Sequence, residues 1–169
     1  MIRDSNLHLA QIGHRRICTL AYFSCEHAKE RIRGLLEQDM KALGVDFHPS
    51  YNLPCIQDDT QSLWEMLENL FSITPPTALI ATETTQLITI YSYCMLNQLT
   101  IPNDLSLIVT QNSPNLEWFR PSPAFFEYHT DKYIKQIHSW IENYPSSDID
   151  PVLLPSTFSQ GASLKAIPS

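Results

Sequence analysis

The sequence has only four glycines in 169 residues, and they do not cluster. A phosphate-binding loop or a dinucleotide site requires closely spaced glycines, so neither is expected. The G-x-S-x-G and H-E-x-x-H patterns of common hydrolases are also missing. Six histidines and four cysteines show no metal-ligand spacing. We therefore predict no enzymatic activity, no cofactor and no metal.

Basic residues are also few. Eleven Lys and Arg face eighteen Asp and Glu, which gives a net charge of −7. A nucleic-acid surface needs a basic excess, and His14-Arg15-Arg16 is the one short basic run, so this chain is not expected to bind DNA by itself. No apolar run is long enough to cross a membrane, and the first twenty residues are too polar for a signal peptide. Unpaired cysteines fit reduced thiols in the cytoplasm.

Short apolar runs alternate with helical patterns, which predicts an α/β fold with a parallel sheet. The strands are expected in the runs 17–23, 51–56, 78–81, 105–109, 125–126 and 152–154. Helices are expected near 26–43, 84–98 and 130–143, with a further one after residue 59 that Asp59 or Thr60 can cap. Gly13 should end a first helix, and the residues after Gly161 should form a mobile tail.

Polar residues follow each predicted strand directly. In open parallel sheets, ligands bind beyond the carboxyl ends of the strands. Side chains at this edge, together with Arg31 one turn into the next helix, are therefore our candidate ligand-binding residues. The set comprises Ser24, Arg31, Gln57, Glu83, Gln111 and Asn112. The arginine could instead pair with a glutamate on the surface of its own helix.

Several motifs resemble the effector-sensing domain of LacI/GalR-family transcription regulators. They occur in the family's order and at its spacing, and they cover residues 7 to 163. The matching segments are Gly13-His-Arg-Arg-Ile17, Arg31-Ile-Arg-Gly34, Pro76-Thr-Ala-Leu-Ile80 and Ile101-Pro-Asn-Asp-Leu-Ser-Leu-Ile108. The resemblance implies a three-layer sandwich with a mainly parallel sheet, the second lobe of a type I periplasmic-binding-protein-like domain.

The resemblance also implies a division of the chain. Residues 1–124 would form the C-terminal lobe, residues 125–163 would supply a closing helix and strands of the first lobe, and residues 164–169 would be a tail. The family's DNA-binding module and most of its first lobe have no counterpart here, so we expect a fragment. The apolar face of the helix at 130–143 would then lack part of its partner, which favours dimerisation or aggregation.

The sequence departs from the family at the strand ends. Where the family usually has Asn-Asp, this chain has Glu83-Thr84, and where it has Gly-Phe/Tyr-Asp-Asp, this chain has Val109-Thr-Gln-Asn112. Amides still donate and accept hydrogen bonds, so a sugar remains possible. A cationic ligand drawn to Glu83 and the loss of ligand binding are the alternatives.

The resemblance places a homodimer interface at the helix 84–98 and the proline-rich loop after it, with Leu87, Tyr91, Trp118 and Phe119 as candidates. The aromatic pair at 118–119 could instead be a hydrophobic plug under the loop. The expected function is small-molecule sensing and dimerisation in a bacterial transcription regulator, with DNA reached only through a module outside this chain. The alternatives are a solute-binding protein of a sugar transporter and a lobe that only dimerises.

Overall fold

The structure is a computed structural model that describes residues 1–23, 25–142 and 156–168. Helices and strands alternate along most of the chain, as the apolar runs predict. The helices are α1 (Ile2–Gln11), α2 (Glu26–Ala42), α3 (Pro49–Asn52), α4 (Thr60–Ile73), α5 (Thr84–Leu96) and α6 (Thr130–Glu142). The strands are β1 (Ile17–Leu20), β2 (Ala78–Ala81), β3 (Ser106–Val109), β4 (Ala124–Tyr128) and β5 (Ser156–Ser159). The expected strand at 152–154 lies outside the described residues.

The five strands form one sheet in the order β1-β2-β3-β4-β5. The first three pairings are parallel, and β5 runs antiparallel to β4. The strands β1, β2 and β3 are buried along their whole length, as expected of parallel strands covered on both faces. The carboxyl ends of four neighbouring strands therefore meet at one edge.

Helices cover both faces of this sheet, which confirms the three-layer α/β sandwich. Alternate residues of β2 point to opposite sides, because side chains alternate along a strand. Leu79 and Ala81 pack into the core beneath α4 and α5, whereas Ala78 and Ile80 pack into the core beneath α1 and α2. The pairs α1–α2 and α4–α5 also contact each other.

The predicted strand at 51–56 is wrong. Tyr51 and Asn52 are the last residues of the one-turn helix α3, and residues 53–56 form neither helix nor strand; the buried Asn52 explains why. Its side-chain amide donates to the carbonyl of Ile17 at 2.7 Å, and its oxygen accepts the N–H of His48 at 2.7 Å. Asn52 thus occupies a hydrogen-bonding position on the free edge of β1, where a further strand would otherwise pair.

The prediction that the residues after Gly161 form a mobile tail is wrong as well. Ser163 is fully buried, and Leu164 packs on the core beneath α1 and α2. The N–H of Ile167 donates to the carbonyl of Ile12 at 2.9 Å. The chain passes so close to Gly13, at a φ of +100°, that any Cβ there would overlap the carbonyl of Ile167. Residues 161–167 are therefore part of the packed lobe.

The assignment of residues 125–163 to a first lobe also needs correction. Strands β4 and β5 extend the same sheet as β1 to β3, because β4 pairs with β3 and β5 pairs with β4. Helix α6 differs from both strands, since it has no buried residue. Its apolar side chains are instead between about a third and two thirds exposed: Tyr133, Ile134, Ile137, Trp140 and Ile141. That α6 belongs to another lobe stays a prediction.

Candidate functional site

The ends of β1 and β2 are joined at the carboxyl edge by the buried side chain of Gln86. Its oxygen accepts the backbone N–H groups of Thr82 at 2.8 Å and Glu83 at 3.2 Å. Its amide nitrogen donates to the carbonyl of Leu20 at 3.1 Å, as the Thr82 hydroxyl does at 3.0 Å. Sequence reasoning missed Gln86. The signal was a glutamine three residues after Glu83, the spacing of a capping box.

The same edge brings Glu83 and Gln111 to the start of α5. Glu83 is the residue that precedes the helix, and it is half-buried. The Gln111 oxygen accepts both the backbone N–H and the hydroxyl of Thr84, each at 2.9 Å. The first turn of α5 is thereby capped by a side chain from the end of β3. The other polar atom of this side chain, the amide nitrogen, has no hydrogen bond within the described residues.

The pKa of Tyr22, two residues beyond β1, is shifted by the acidic groups of this edge. Burial raises the pKa of its phenol, hydrogen bonding with Gln86 lowers it, and the carboxylates of Asp58, Asp59 and Glu83 raise it further. The loop before α4 and the start of α5 therefore supply the three acids that act on this phenol. We call this region, between the ends of β1 and β3, the strand-end crevice. Its electrostatic potential favours cationic or hydrogen-bond-donating groups.

Asp59 has a structural role within the crevice, as the sequence predicted. Its Oδ1 accepts the N–H of Ser62 at 2.7 Å and so caps α4. Asp58 makes no hydrogen bond within the described residues and is exposed, as is the neighbouring Gln57. Asn112 is exposed beside Gln111. Asp58, Gln57 and Asn112 thus present free polar groups near the strand ends.

Arg31 lies exposed on α2 and has no ion pair within the described residues. Its neighbours on the helix differ: Lys29 pairs with Glu26 at 3.1 Å, and Arg33 pairs with Glu30 at 2.6 Å. The competing interpretation, that Arg31 pairs with a glutamate of its own helix, is therefore not supported. The structure joins Arg31 to none of the crevice side chains by a hydrogen bond, and Ser24 lies outside the described residues.

The four candidate interface residues fall into three groups. The prediction that Leu87 lies at the interface is wrong, because its side chain is fully buried in the core. Tyr91 and Phe119 pack on each other with ring centroids 5.0 Å apart, and the Tyr91 hydroxyl donates to the carbonyl of Pro121 at 2.6 Å. This pair holds the loop to α5. Trp118 is 85% exposed and therefore remains available to a partner.

The outer face of α5 carries further exposed apolar side chains that sequence reasoning missed. Ile88 and Met95 are more than half exposed and lie seven residues apart, on one face of the helix. A groove of about 360 Å³ lies beside this face, between α5 and the loop that contains Arg120 and Pro121. Isolated exposed apolar residues are common, but a helix face that borders a groove indicates an interaction surface.

No group of three or more His, Cys, Asp or Glu side chains that could hold a metal occurs in the described part of the chain. Within residues 1–23, 25–142 and 156–168, no helix is both long and apolar enough to cross a membrane. Cys18 and Cys94 are buried, and burial raises the pKa of Cys94 to about 11. Cys25 and Cys55 are exposed free thiols.

Residues 7–163 match the family model of the periplasmic binding protein-like domain. A search of curated proteins finds no match. Among solved structures, the chain resembles a sugar-binding transcriptional regulator of the LacI family from Escherichia coli, complexed with phosphate (17% identity, TM-score 0.78). It also resembles a LacI-family transcriptional regulator from Enterococcus faecium with bound ribose (18%, 0.75) and the transcriptional regulator CelR in a cellobiose complex (16%, 0.76).

These three similarities cover 96–99% of this chain but only 50–63% of the solved structures. The chain thus spans little more than half of those proteins. At such identities the likeness establishes the fold, which is that of the sensor domains of LacI-family regulators.

Proposed function

Because the chain belongs to the periplasmic binding protein-like domain family, we propose that it senses a small-molecule effector and dimerises as part of a LacI/GalR-like transcription regulator. The strand-end crevice is the observation that carries this proposal. It lies at the carboxyl edge of parallel strands, where ligands of such sheets bind. Contact with DNA would come through a module outside this chain, since the net charge is −7.

The crevice offers both fixed and free polar groups to an effector. Gln86 and the Gln111 oxygen are engaged in holding the strand ends and the start of α5. The Gln111 amide nitrogen, the Asp58 carboxylate and the Arg31 guanidinium have no partner within the described residues. Such groups can bind paired hydroxyls, and a guanidinium can do so through two parallel hydrogen bonds. We therefore propose a sugar or another polyhydroxyl compound as the effector.

The three carboxylates around Tyr22 favour a second candidate, a cationic effector. An amine placed between Asp58 and Glu83 would gain charge-assisted hydrogen bonds that a neutral sugar lacks. The two candidates predict different ligands for the same crevice. A screen that contains both classes therefore decides between them.

Thermal denaturation with candidate ligands tests the proposal. Ribose, cellobiose, nucleosides and polyamines should be screened on the full-length protein. A ligand present at about a hundred times its dissociation constant adds roughly 2.7 kcal/mol of stability. That corresponds to a rise in Tm of about 5–10 °C for a domain of this size.

Two variants of α2 give the matched comparison. Arg31→Ala should abolish or reduce the shift in Tm, because it removes the unpaired guanidinium. Arg33→Ala removes an arginine that already pairs with Glu30, so the shift should persist. Gln111→Ala should also reduce the shift. If no compound of either class raises Tm, the chain is a dimerisation lobe without an effector.

Dimerisation is proposed through the outer face of α5 and the loop beside it. Ile88→Glu and Trp118→Glu should each convert a dimer into a monomer, as measured by light scattering after size exclusion. Ile73→Glu is the control, since Ile73 is 82% exposed and lies at the end of a different helix, α4. A dimer that survives both interface substitutions would contradict the proposed surface.

The other alternative, a solute-binding protein of a sugar transporter, uses the same fold and the same crevice. It differs in what ligand binding controls. A transcription regulator should change its affinity for operator DNA when the effector is added, whereas a transport protein should not bind DNA at all. Gel-shift measurements on the full-length protein, with and without the stabilising ligand, separate these two functions.

A further inference from the structure

A second groove lies at the opposite edge of the sheet from the strand-end crevice. It opens between the end of α4, the end of α5 and the segment 97–104 that leads into β3, and its volume is about 700 Å³. Ligand pockets usually have volumes of about 300–1,000 Å³. Because it borders the amino ends of β2 and β3, a ligand here would be separate from the proposed effector.

The lining of this groove combines acidic, amide and aromatic groups. Among the described residues that line it there is no Lys, Arg or His. The acidic and amide groups are Glu68, Asp104, Asn97 and Asn103, and the aromatic rings are Phe71 and Tyr93. An acidic rim over an aromatic floor is a setting that suits an organic cation, which interacts with carboxylates and with aromatic rings.

The floor contains a polar group without a partner. Tyr93 is only 5% exposed, and its hydroxyl makes no hydrogen bond within the described residues. Its ring is fixed by Trp64 and Phe71, each with a ring centroid 5.3 Å away. Trp64 contacts both Tyr93 and Glu68, since it packs on the Tyr93 ring and its indole N–H donates to Glu68 at 3.0 Å. Burial raises the pKa of the Tyr93 phenol, and the Glu68 carboxylate raises it further. The hydroxyl oxygen is not itself buried, so it opens onto the groove and can accept a hydrogen bond from a ligand there.

In the described part of the chain, the two carboxylates of the rim each have one oxygen that accepts no hydrogen bond. Oε1 of Glu68 accepts the indole N–H of Trp64 at 3.0 Å. Oδ2 of Asp104 accepts the N–H and the hydroxyl of Thr100 at 2.8 and 2.6 Å. These bonds lower the pKa of Asp104, so it is ionised at neutral pH.

Lys165 offsets part of the charge of this rim. Its ammonium group donates to Asn103 at 3.3 Å and favours the ionised form of Asp104. No such cation lies beside Glu68 in the described residues. Glu68 is therefore the main source of negative charge for a ligand that reaches Tyr93.

We propose that this groove binds a small organic ammonium ion, with Glu68 as its counter-ion and the Tyr93 hydroxyl as an acceptor for its N–H. The aromatic floor would contact the apolar part of the ligand. This inference does not rest on the proposed effector function, since the two sites lie at opposite edges of the sheet.

Trp64 provides the measurement, because its indole contacts both Glu68 and Tyr93. The chain has three tryptophans, and the other two are exposed, so Trp118→Phe and Trp140→Phe leave Trp64 as the single reporter. Its fluorescence should change saturably with propylammonium chloride and with tetramethylammonium chloride. Sodium chloride at the same ionic strength and tert-butanol, a neutral compound, should give no saturable change.

Variants then identify the groups involved. Glu68→Gln should reduce the binding affinity for both cations by up to about fivefold, the usual range for the loss of one exposed charge pair. Glu65→Gln is the matched control on the same helix, because Glu65 is exposed and bonds only Gln61. Glutamine at 68 can still accept the Trp64 N–H, so the reporter is retained.

Tyr93→Phe distinguishes a ligand contact from general electrostatic attraction. It should weaken the binding of propylammonium, which donates N–H groups. The binding of tetramethylammonium should be unchanged, because that ion has no N–H to donate. Circular dichroism checks the fold of this variant. The proposal is overturned if neither cation gives a saturable signal, if tert-butanol gives the same signal, or if Glu68→Gln binds both cations as the wild type does.

Discussion

Gln86→Leu is the substitution that tests most directly how the strand-end crevice is built. Leucine has a similar volume and suits a helix, so packing and helix propensity change little. What the substitution removes is hydrogen bonding. The backbone N–H groups of Thr82 and Glu83 both lose their acceptor, while the carbonyl of Leu20 keeps a donor in the Thr82 hydroxyl.

The cost follows from how well water can replace Gln86. A buried donor left without a partner costs about 1–3 kcal/mol. Thr82 and Glu83 are half-buried, so partial hydration reduces the cost at each. The apolar leucine recovers some burial energy. We expect a net loss of about 3 kcal/mol in the free energy of unfolding, which lowers Tm by roughly 6–12 °C.

Urea denaturation followed by circular dichroism measures this change. Gln61→Leu is the matched control, since it is the same substitution on an exposed helical glutamine that bonds Glu65 at 2.7 Å. That variant should stay within about 0.5 kcal/mol of the wild type. A Gln86→Leu protein that is equally unaffected would show that Gln86 does not hold the two strand ends together.

Two further predictions concern the edge where the chain returns to α1. Ser163→Val should cost about 2 kcal/mol in urea denaturation, because the buried N–H of Ala124 loses its acceptor at 2.8 Å; no loss would mean that residues 161–167 are not docked. Burial lowers the pKa of His14 below its ordinary 6.5, so the unfolded chain takes up this proton at a higher pH than the folded one. The stability contributed by neutral His14 is thus present above pH 6.5 and is lost as the pH falls through the folded pKa. His14→Gln should reduce that loss, and an unchanged pH profile would refute the assignment; the remaining slope comes from His8, whose pKa burial also lowers.

Continuous apolar runs allowed the buried part of the sheet to be predicted from the sequence. Strands β2 and β3 lie where those runs predict, because parallel strands covered on both faces need apolar residues at every position. Helix ends were equally predictable where local chemistry sets them. Asp59 caps α4 and Gly13 follows α1, since each satisfies backbone groups within its own neighbourhood.

Contacts between distant segments could not be predicted in this way. Asn52 ends the sheet through a bond to Ile17, thirty-five residues earlier, and nothing in the run 51–56 reveals that partner. Leu87 was assigned to the surface in place of Ile88 because α5 is apolar on nearly all sides. Its sequence therefore lacks the polar stripe that marks the exposed face of a helix. Gln111 was predicted at the crevice, but its bonds to Thr84 depend on how β3 meets α5.

The position of α5 connects the two halves of the proposed function. Its first turn is held at the crevice by Gln111, and its outer face carries Ile88 and Met95. Thr84 and Met95 are eleven residue steps apart, which corresponds to about 16 Å along the helix. An effector that draws the Gln111 side chain away from Thr84 therefore shifts the end of the same element that forms the proposed interface. An effector that binds without disturbing this cap has no differential contact with the two states, and it should leave the dimer unchanged. Gln111→Ala, which removes the cap permanently, should abolish any effect of a saturating effector on dimerisation, whereas Gln61→Ala, at an exposed position of α4, should preserve it.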